Sequence, residues 1–203
     1  MKEVSMTSKV QREEVKKWVE LLRSSVATER LKGAQELASL GVRTRGAVRT
    51  RGAVSQAASS PLPKGVDLSA AFDAFKEDQP VEIRREVAFV LGEWADETAV
   101  GVLKRIAEAD PEAAVRGEAV DALGKIGGPE AVKILKAAAR KDPSDGVRIR
   151  ALRSLAELAK TEPPSSQPVA EIVKALEAVQ KEDPSEPVRA QAVEALARLQ
   201  KQS

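Results

Sequence analysis

The chain is expected to fold as an all-α solenoid of about five helix-turn-helix repeats, and three observations point there. In four places an Asp precedes an Arg by six residues with a Pro between them: DQPVEIR at 78–84, DPEAAVR at 110–116, DPSDGVR at 142–148 and DPSEPVR at 183–189. Each Arg is followed by an apolar-periodic run of one design, REVAFVLGEW, GEAVDALGKIG, IRALRSLAELA and AQAVEALARLQ, and a degenerate copy, ERLKGAQELASLG, follows Thr28. The third observation is spacing: the anchors Arg30, Arg84, Arg116, Arg148 and Arg189 lie 54, 32, 32 and 41 residues apart. Self-similarity at such a period is the mark of stacked units that bury their apolar faces against one another.

The two steps of 32 define the unit, and the other two contain it plus insertions of about 22 and 9 residues. The repeats then span about 11–41, 66–95, 96–127, 128–160 and 168–201. Each unit holds an A helix and a B helix, the B helix carrying the anchor. The A helices are expected near 11–24, 67–77, 97–109, from Pro129 onward in PEAVKILKAAARKD, and 168–181. Pro129 suits a first helical position and the basic end suits a last turn. In the third unit Val115, Ala119, Val120, Leu123 and Ile126 share one stripe at helical spacing. Trp18 joins Val15, Val19 and Leu22 on another; Trp94 aligns with Ile126, while Phe72 and Phe75 fall on the second A helix, so the aromatics are assigned to the core. Asp110, Asp142 and Asp183, each followed by Pro, have the form of an N-cap and a first helical position. Pro187 disturbs that form in the last unit, where the Asp fits an inter-helix turn instead. In either setting, Asp and Arg recurring in register predict a ladder in which each Arg bridges its own or the adjacent repeat's Asp. Ser24 takes the Asp position in the first unit, as suits a terminal repeat.

The Pro, Asp and Val-Arg spacing, with the A-x-x-A-L-G-x-I-G pattern at Ala119–Gly127, resembles a HEAT repeat, most closely the short HEAT-like class named after phycobilin lyases. The resemblance covers about four-fifths of the chain and implies a right-handed α-solenoid. It leaves function open, since that class includes scaffolds, adaptors, chromophore lyases, a di-iron hydroxylase and DNA glycosylases. The hydroxylase chemistry would need His ligands to iron, and this chain has none. The glycosylases would need a strongly basic groove with Trp and Asp; Trp94 and Asp96 sit instead at a core position and at a cap position before Glu97.

Composition narrows the chemistry in the same direction. The chain has 33 basic and 31 acidic residues, 2% aromatics, no Cys, no His and no Tyr. Disulfides, thiolate nucleophiles, Ser-His triads and ordinary zinc sites are thereby excluded. No catalytic residue, metal site or cofactor is expected, and the chain is read as a non-enzyme. The lack of thermolabile Asn and Cys beside abundant charge fits a thermophile. The opening MKEVSMTSKV has no apolar core, and no run reaches membrane-spanning length, so a cytoplasmic protein without membrane contact is expected.

In proteins that this chain resembles, B helices line the concave face and their outward positions meet the ligand. Those positions include Glu86 and Phe89 in the second unit, Glu118, Asp121 and Lys125 in the third, and Arg150 and Arg153 in the fourth. Both signs are interleaved there, which fits a protein partner better than a polyanion. Phe89 stands in an otherwise polar column and is a candidate anchor.

The insertion at 42–65 differs in kind. VRTRGA occurs at 42–47 and again at 48–53, and no acidic residue lies between Leu37 and Val66. Without Arg43, Arg45, Arg49, Arg51 and Lys64 the count is 28 basic against 31 acidic, a net charge of −3, so the excess positive charge resides in this segment. Arg43, Arg45, Arg49 and Arg51 supply the alternative reading, in which a nucleic acid or ribonucleoprotein is contacted through its phosphates. The second insertion, 161–167, is Pro/Ser-rich and is expected to be a stiff loop.

Overall fold

The computed structural model describes residues 13–24, 28–37, 39, 79–94, 99–161, 163 and 166–200, and among them the backbone is helical outside turns, with no strand. In chain order the helices are α1 (13–22), α2 (28–37), α3 (Val81–Trp94), α4 (Val100–Ala109), α5 (Ala113–Ile126), α6 (Gly128–Lys141), α7 (Asp145–Ala159), α8 (Gln167–Glu182) and α9 (Glu186–Gln200). The expected A helix at 67–77, with Phe72 and Phe75, the basic insertion 42–65, Asp96 and the Trp94 side chain lie outside what is described. No described helix is long and apolar enough to cross a membrane. The chain divides into two compact units, Met1–Ala99 and Val100–Ser203.

In the first unit α1 buries Val15, Val19 and Leu22, and α2 buries Ala34 and Leu37. Trp18 is only half-buried, so the indole flanks the stripe rather than filling it. Gly33 permits the close packing of α2 on α1, because a Cβ there would lie 2.7 Å from the Trp18 carbonyl oxygen and 2.8 Å from the Leu21 Cβ. The Arg30 guanidinium donates to the Ser24 carbonyl at 2.7 Å.

The second unit contains three A/B pairs, α4–α5, α6–α7 and α8–α9, each packed within itself. Between pairs the B helices α5, α7 and α9 pack intimately in sequence, whereas α4, α6 and α8 touch far less. Close packing on one layer and looser packing on the other bends a repeat stack, with the tighter layer inside. The B helices therefore form the inner face of this unit. Its core is the shared apolar stripe: Val115, Ala119, Val120 and Leu123 on α5, and Val147, Ala151, Leu152 and Leu155 on α7. Ile126, the last stripe position of α5, is half-buried.

Glycines set how near α5 and α7 come. A Cβ on Gly124 would lie 2.6 Å from the Ser154 hydroxyl and 2.7 Å from its Cβ, which a rotamer change cannot relieve. Gly124→Ala is expected to cost about 1–3 kcal/mol through overpacking. Pairing it with Ser154→Gly should recover part of that loss, as a denaturant midpoint would report. At the next junction Gly127 and Gly128 take φ of 74° and 83°, which only glycine adopts at low cost, and they end α5 and start α6. Pro129 in the first turn, Glu130 beside it and Arg140 and Lys141 in the last turn suit the orphan donors and the dipole of α6.

Asp110 and Asp142 differ from their expected role as N-caps, whereas Asp183 stands in the inter-helix turn expected for it. Asp142 and Asp183 are the C-caps of α6 and α8, with ψ of 134° and 133°. The following Pro is the cause: it disfavours helical geometry at the residue before it, so the A helix stops there. The B helix starts three residues later, after Glu112 on α5 and after Ser144 on α7, neither of which makes a side-chain cap. The carboxylate folds back instead and accepts the backbone N–H two residues on: Glu112 on Asp110 at 2.9 Å, Ser144 on Asp142 at 2.8 Å and Ser185 on Asp183 at 2.9 Å.

This turn is one half of the ladder, and the anchor Arg is the other. Arg116 donates Nε and Nη2 to the two carboxylate oxygens of Asp142 at 2.8 and 2.9 Å, and Nη1 to the Asp110 carbonyl at 2.9 Å. Arg148 repeats the arrangement, with 2.8 and 3.0 Å to Asp183 and 2.9 Å to the Asp142 carbonyl. Each guanidinium thus grips its own turn by a carbonyl and the next turn by a bidentate carboxylate. Arg116, Arg148, Asp142 and Asp183 are all buried. The Asp142 hydrogen bonds hold the Arg116 guanidinium above its ordinary value, and Asp183 does the same for Arg148. Asp145 adds an exposed contact to Arg148 at 2.7 Å, and its carboxyl is held below the usual range chiefly by the Ser185 hydroxyl that donates to it.

Candidate functional site

Helical spacing fixes which B-helix side chains reach the inner face of the second unit. Positions two, five and nine after the anchor project from α5 as Glu118, Asp121 and Lys125, from α7 as Arg150, Arg153 and Glu157, and from α9 as Gln191, Glu194 and Arg198. Glu118, Asp121 and Arg150 are half-buried, Lys125, Arg153, Glu157, Glu194 and Arg198 are exposed, and Gln191 is buried.

These side chains are joined across the helices. Arg150 lays its stem over Gly117, where a Cβ would lie 3.0 Å from its Cδ, and its guanidinium pairs with Asp121 on the neighbouring helix. Arg153 donates Nε to the Gln191 amide oxygen at 2.9 Å. Gln191 in turn donates to Glu194 at 3.2 Å, and Glu194 accepts from Arg198 at 2.5 Å. Two polar links therefore bridge the B helices, Asp121–Arg150 between α5 and α7 and Arg153–Gln191–Glu194–Arg198 between α7 and α9, and both signs are present. Such a surface orients charged and amide groups of a partner, and it contains no group of the described residues in a nucleophile–base relation. No set of three or more metal-ligating side chains is assembled among the described residues.

Of the residues singled out from the sequence, Asp121, Arg150 and Arg153 come together on this face, with Glu118 and Lys125 on α5 beside them. Glu86 and Phe89 are half-buried on α3, in the first unit. Arg43, Arg45, Arg49 and Arg51 lie outside the described residues. Gln191, Glu194 and Arg198 were not selected from the sequence, yet Gln191 joins Arg153 to Glu194. The available signal was the opposite sign of Asp121 and Arg150 in adjacent columns of adjacent repeats. The outer face is simpler: Lys136 pairs with Glu171 at 2.9 Å between α6 and α8, holding that carboxyl below its ordinary range, and Arg140 lies 3.6 Å from Glu182.

Residues 68–156 match the family model described as HEAT repeats. No curated protein sequence matches the chain. Among solved structures, the complex of CpcE and CpcF of phycocyanin lyase from Nostoc sp. PCC7120 is 20% identical, covering 89% of this chain and 96% of that one, with a TM-score of 0.53. An engineered protein is 22% identical over 90% of this chain and 79% of its own, with a TM-score of 0.56. Human deoxyhypusine hydroxylase in complex with glycerol is 18% identical over 92% of this chain and 74% of its own, at 0.55. The shared property is the fold, a solenoid of helical repeats.

Proposed function

We propose that this chain, a HEAT-repeat protein, is a non-enzymatic scaffold that holds a segment of a protein partner on the inner face of its B helices. The observation that carries the reading is the set of two cross-helix polar links, Asp121–Arg150 and Arg153–Gln191–Glu194. It fixes long side chains in defined places before any partner arrives, which lowers the ordering cost of binding. Its mixed charge selects a partner by complementarity and suits a simple polyanion poorly. Glu118 and Lys125 extend the contact on α5, and Glu86 and Phe89 on α3 are assigned to the same role in the first unit.

The test is site-directed photo-crosslinking in cells, with a photoreactive residue at Lys125 on the inner face or at Lys133 on the outer one. A defined partner peptide recovered from the Lys125 site alone, and lost on Arg153→Glu, is the expected result. Equal recovery from both faces, or recovery indifferent to Arg153→Glu, would sink the proposal.

A further inference from the structure

The last described helix, α9, carries a surface through which the other B helices of its unit bind their neighbours, and no described residue covers it there. Four and seven residues after the anchor stand Val120 and Leu123 on α5 and Leu152 and Leu155 on α7, all fully buried. Eight after it stand Gly124 and Ala156, small enough for the next helix to approach. On α9 the same positions are Val193, Leu196 and Ala197. Val193 is 47% exposed, Leu196 is half-buried and Ala197 is exposed, and no described residue packs over them as α7 packs over α5.

The anchor beside this stripe is equally unfilled. Arg189 donates Nη1 to the carbonyls of Asp183 and Pro184 at 2.8 and 3.0 Å, which reproduces the own-turn half of the ladder. Its Nε and second terminal nitrogen, the edge by which Arg116 and Arg148 take a carboxylate, hydrogen-bond no described residue. A bidentate fork and an apolar stripe thus stand in the geometry that twice in this unit binds an Asp-bearing turn and the helix after it.

We infer that the α9 face is a docking surface, distinct from the inner face, and that its occupant is a helix pair with an aspartate in the inter-helix turn. The carboxylate would close on Arg189, and the following helix would cover Val193 and Leu196. Charge complementarity and continuity with the α5–α7–α9 packing specify this chemistry. A second copy docking head to tail is disfavoured, because its first turn offers Ser24 where a carboxylate is needed.

The experiment appends a second copy of residues 160–200 after Gln200 of the chain. This sets the copied Asp183 35 residues beyond Arg189, the separation that joins Arg148 to Asp183. Tethering raises the local concentration of the probe, so that its folding cost does not mask docking. Amide exchange in α9 is expected to slow by about tenfold or more relative to the unextended chain. That protection should be lost when the copied Asp is replaced by Ala. Unchanged exchange would overturn the inference, and protection that survives the Asp→Ala change would reduce the face to a non-selective apolar patch. Sedimentation of the unextended chain supplies the remaining arm: concentration-dependent dimers abolished by Val193→Asp would make a second copy the occupant and overturn the assignment.

Discussion

Replacing Arg148 with alanine is expected to destabilise the Val100–Ser203 unit by about 3–5 kcal/mol, the usual cost of removing one partner from a buried ion pair. The deletion strands the Asp183 carboxylate, which is buried and loses both its guanidinium hydrogen bonds, of 2.8 and 3.0 Å. It also strips a donor from the Asp142 carbonyl, 2.9 Å away in the native turn. Asp183→Ala should cost less, since the buried Arg148 cation it leaves keeps Asp145 as a partner at 2.7 Å. The double replacement Arg148→Met with Asp183→Leu should be far milder than the sum, because neither charge then needs hydration. Urea unfolding of the four chains would check this. Additive losses would mean that the pair is coupled weakly and that the ladder contributes mainly through its carbonyl contacts.

The second large effect is expected at Leu152, where alanine should cost about 2–5 kcal/mol. Its side chain is fully enclosed between repeats, so the truncation leaves a cavity that helices held by the neighbouring Arg–Asp rungs close poorly. Val193 occupies the equivalent position of the next repeat but is 47% exposed. There the truncation should change stability by less than about 0.5 kcal/mol, as for other surface sites. Chemical denaturation of the two variants side by side tests the contrast, and similar losses at both positions would show that α9 is covered in solution.

The same pair of residues marks what could be read from the sequence. Periodicity specifies which side of a helix is apolar, so it grouped Val120 with Leu123 on one stripe of α5. It says nothing of what covers that side, and Leu152 and Val193 look alike on that criterion. The Asp–Pro signal was legible as a boundary; it was misassigned in kind at Asp110 and Asp142, while Asp183 stands in the inter-helix turn read for it. Proline acts backward on Asp142 and Asp183, ending the A helix, while a cap reading looks only forward. The ladder was anticipated without its division of labour, because the sequence cannot distinguish a carbonyl contact within the turn from a carboxylate contact to the next. On the inner face, alignment gave the columns of Asp121, Arg150 and Arg153. The Asp121–Arg150 pairing depends on how far α5 and α7 approach, which Gly117 and Gly124 decide.

One consequence of the ladder concerns where this chain tolerates change of length. Arg116 and Asp142 are 26 residues apart, Arg148 and Asp183 are 35, and both pairs close with nearly the same distances. Of the additional nine residues, six lengthen the connection between α7 and α8 and three extend those two helices, without disturbing either rung. By contrast, the six-residue window from Asp to Arg is constant at Asp110–Arg116, Asp142–Arg148 and Asp183–Arg189, since one guanidinium must reach the carbonyl at its start. Segments between repeats can therefore lengthen, acquire new sequence or accept a transplanted loop while the stack keeps its register. A single residue added inside the window would rotate the anchor off its turn and uncouple the two halves of the array.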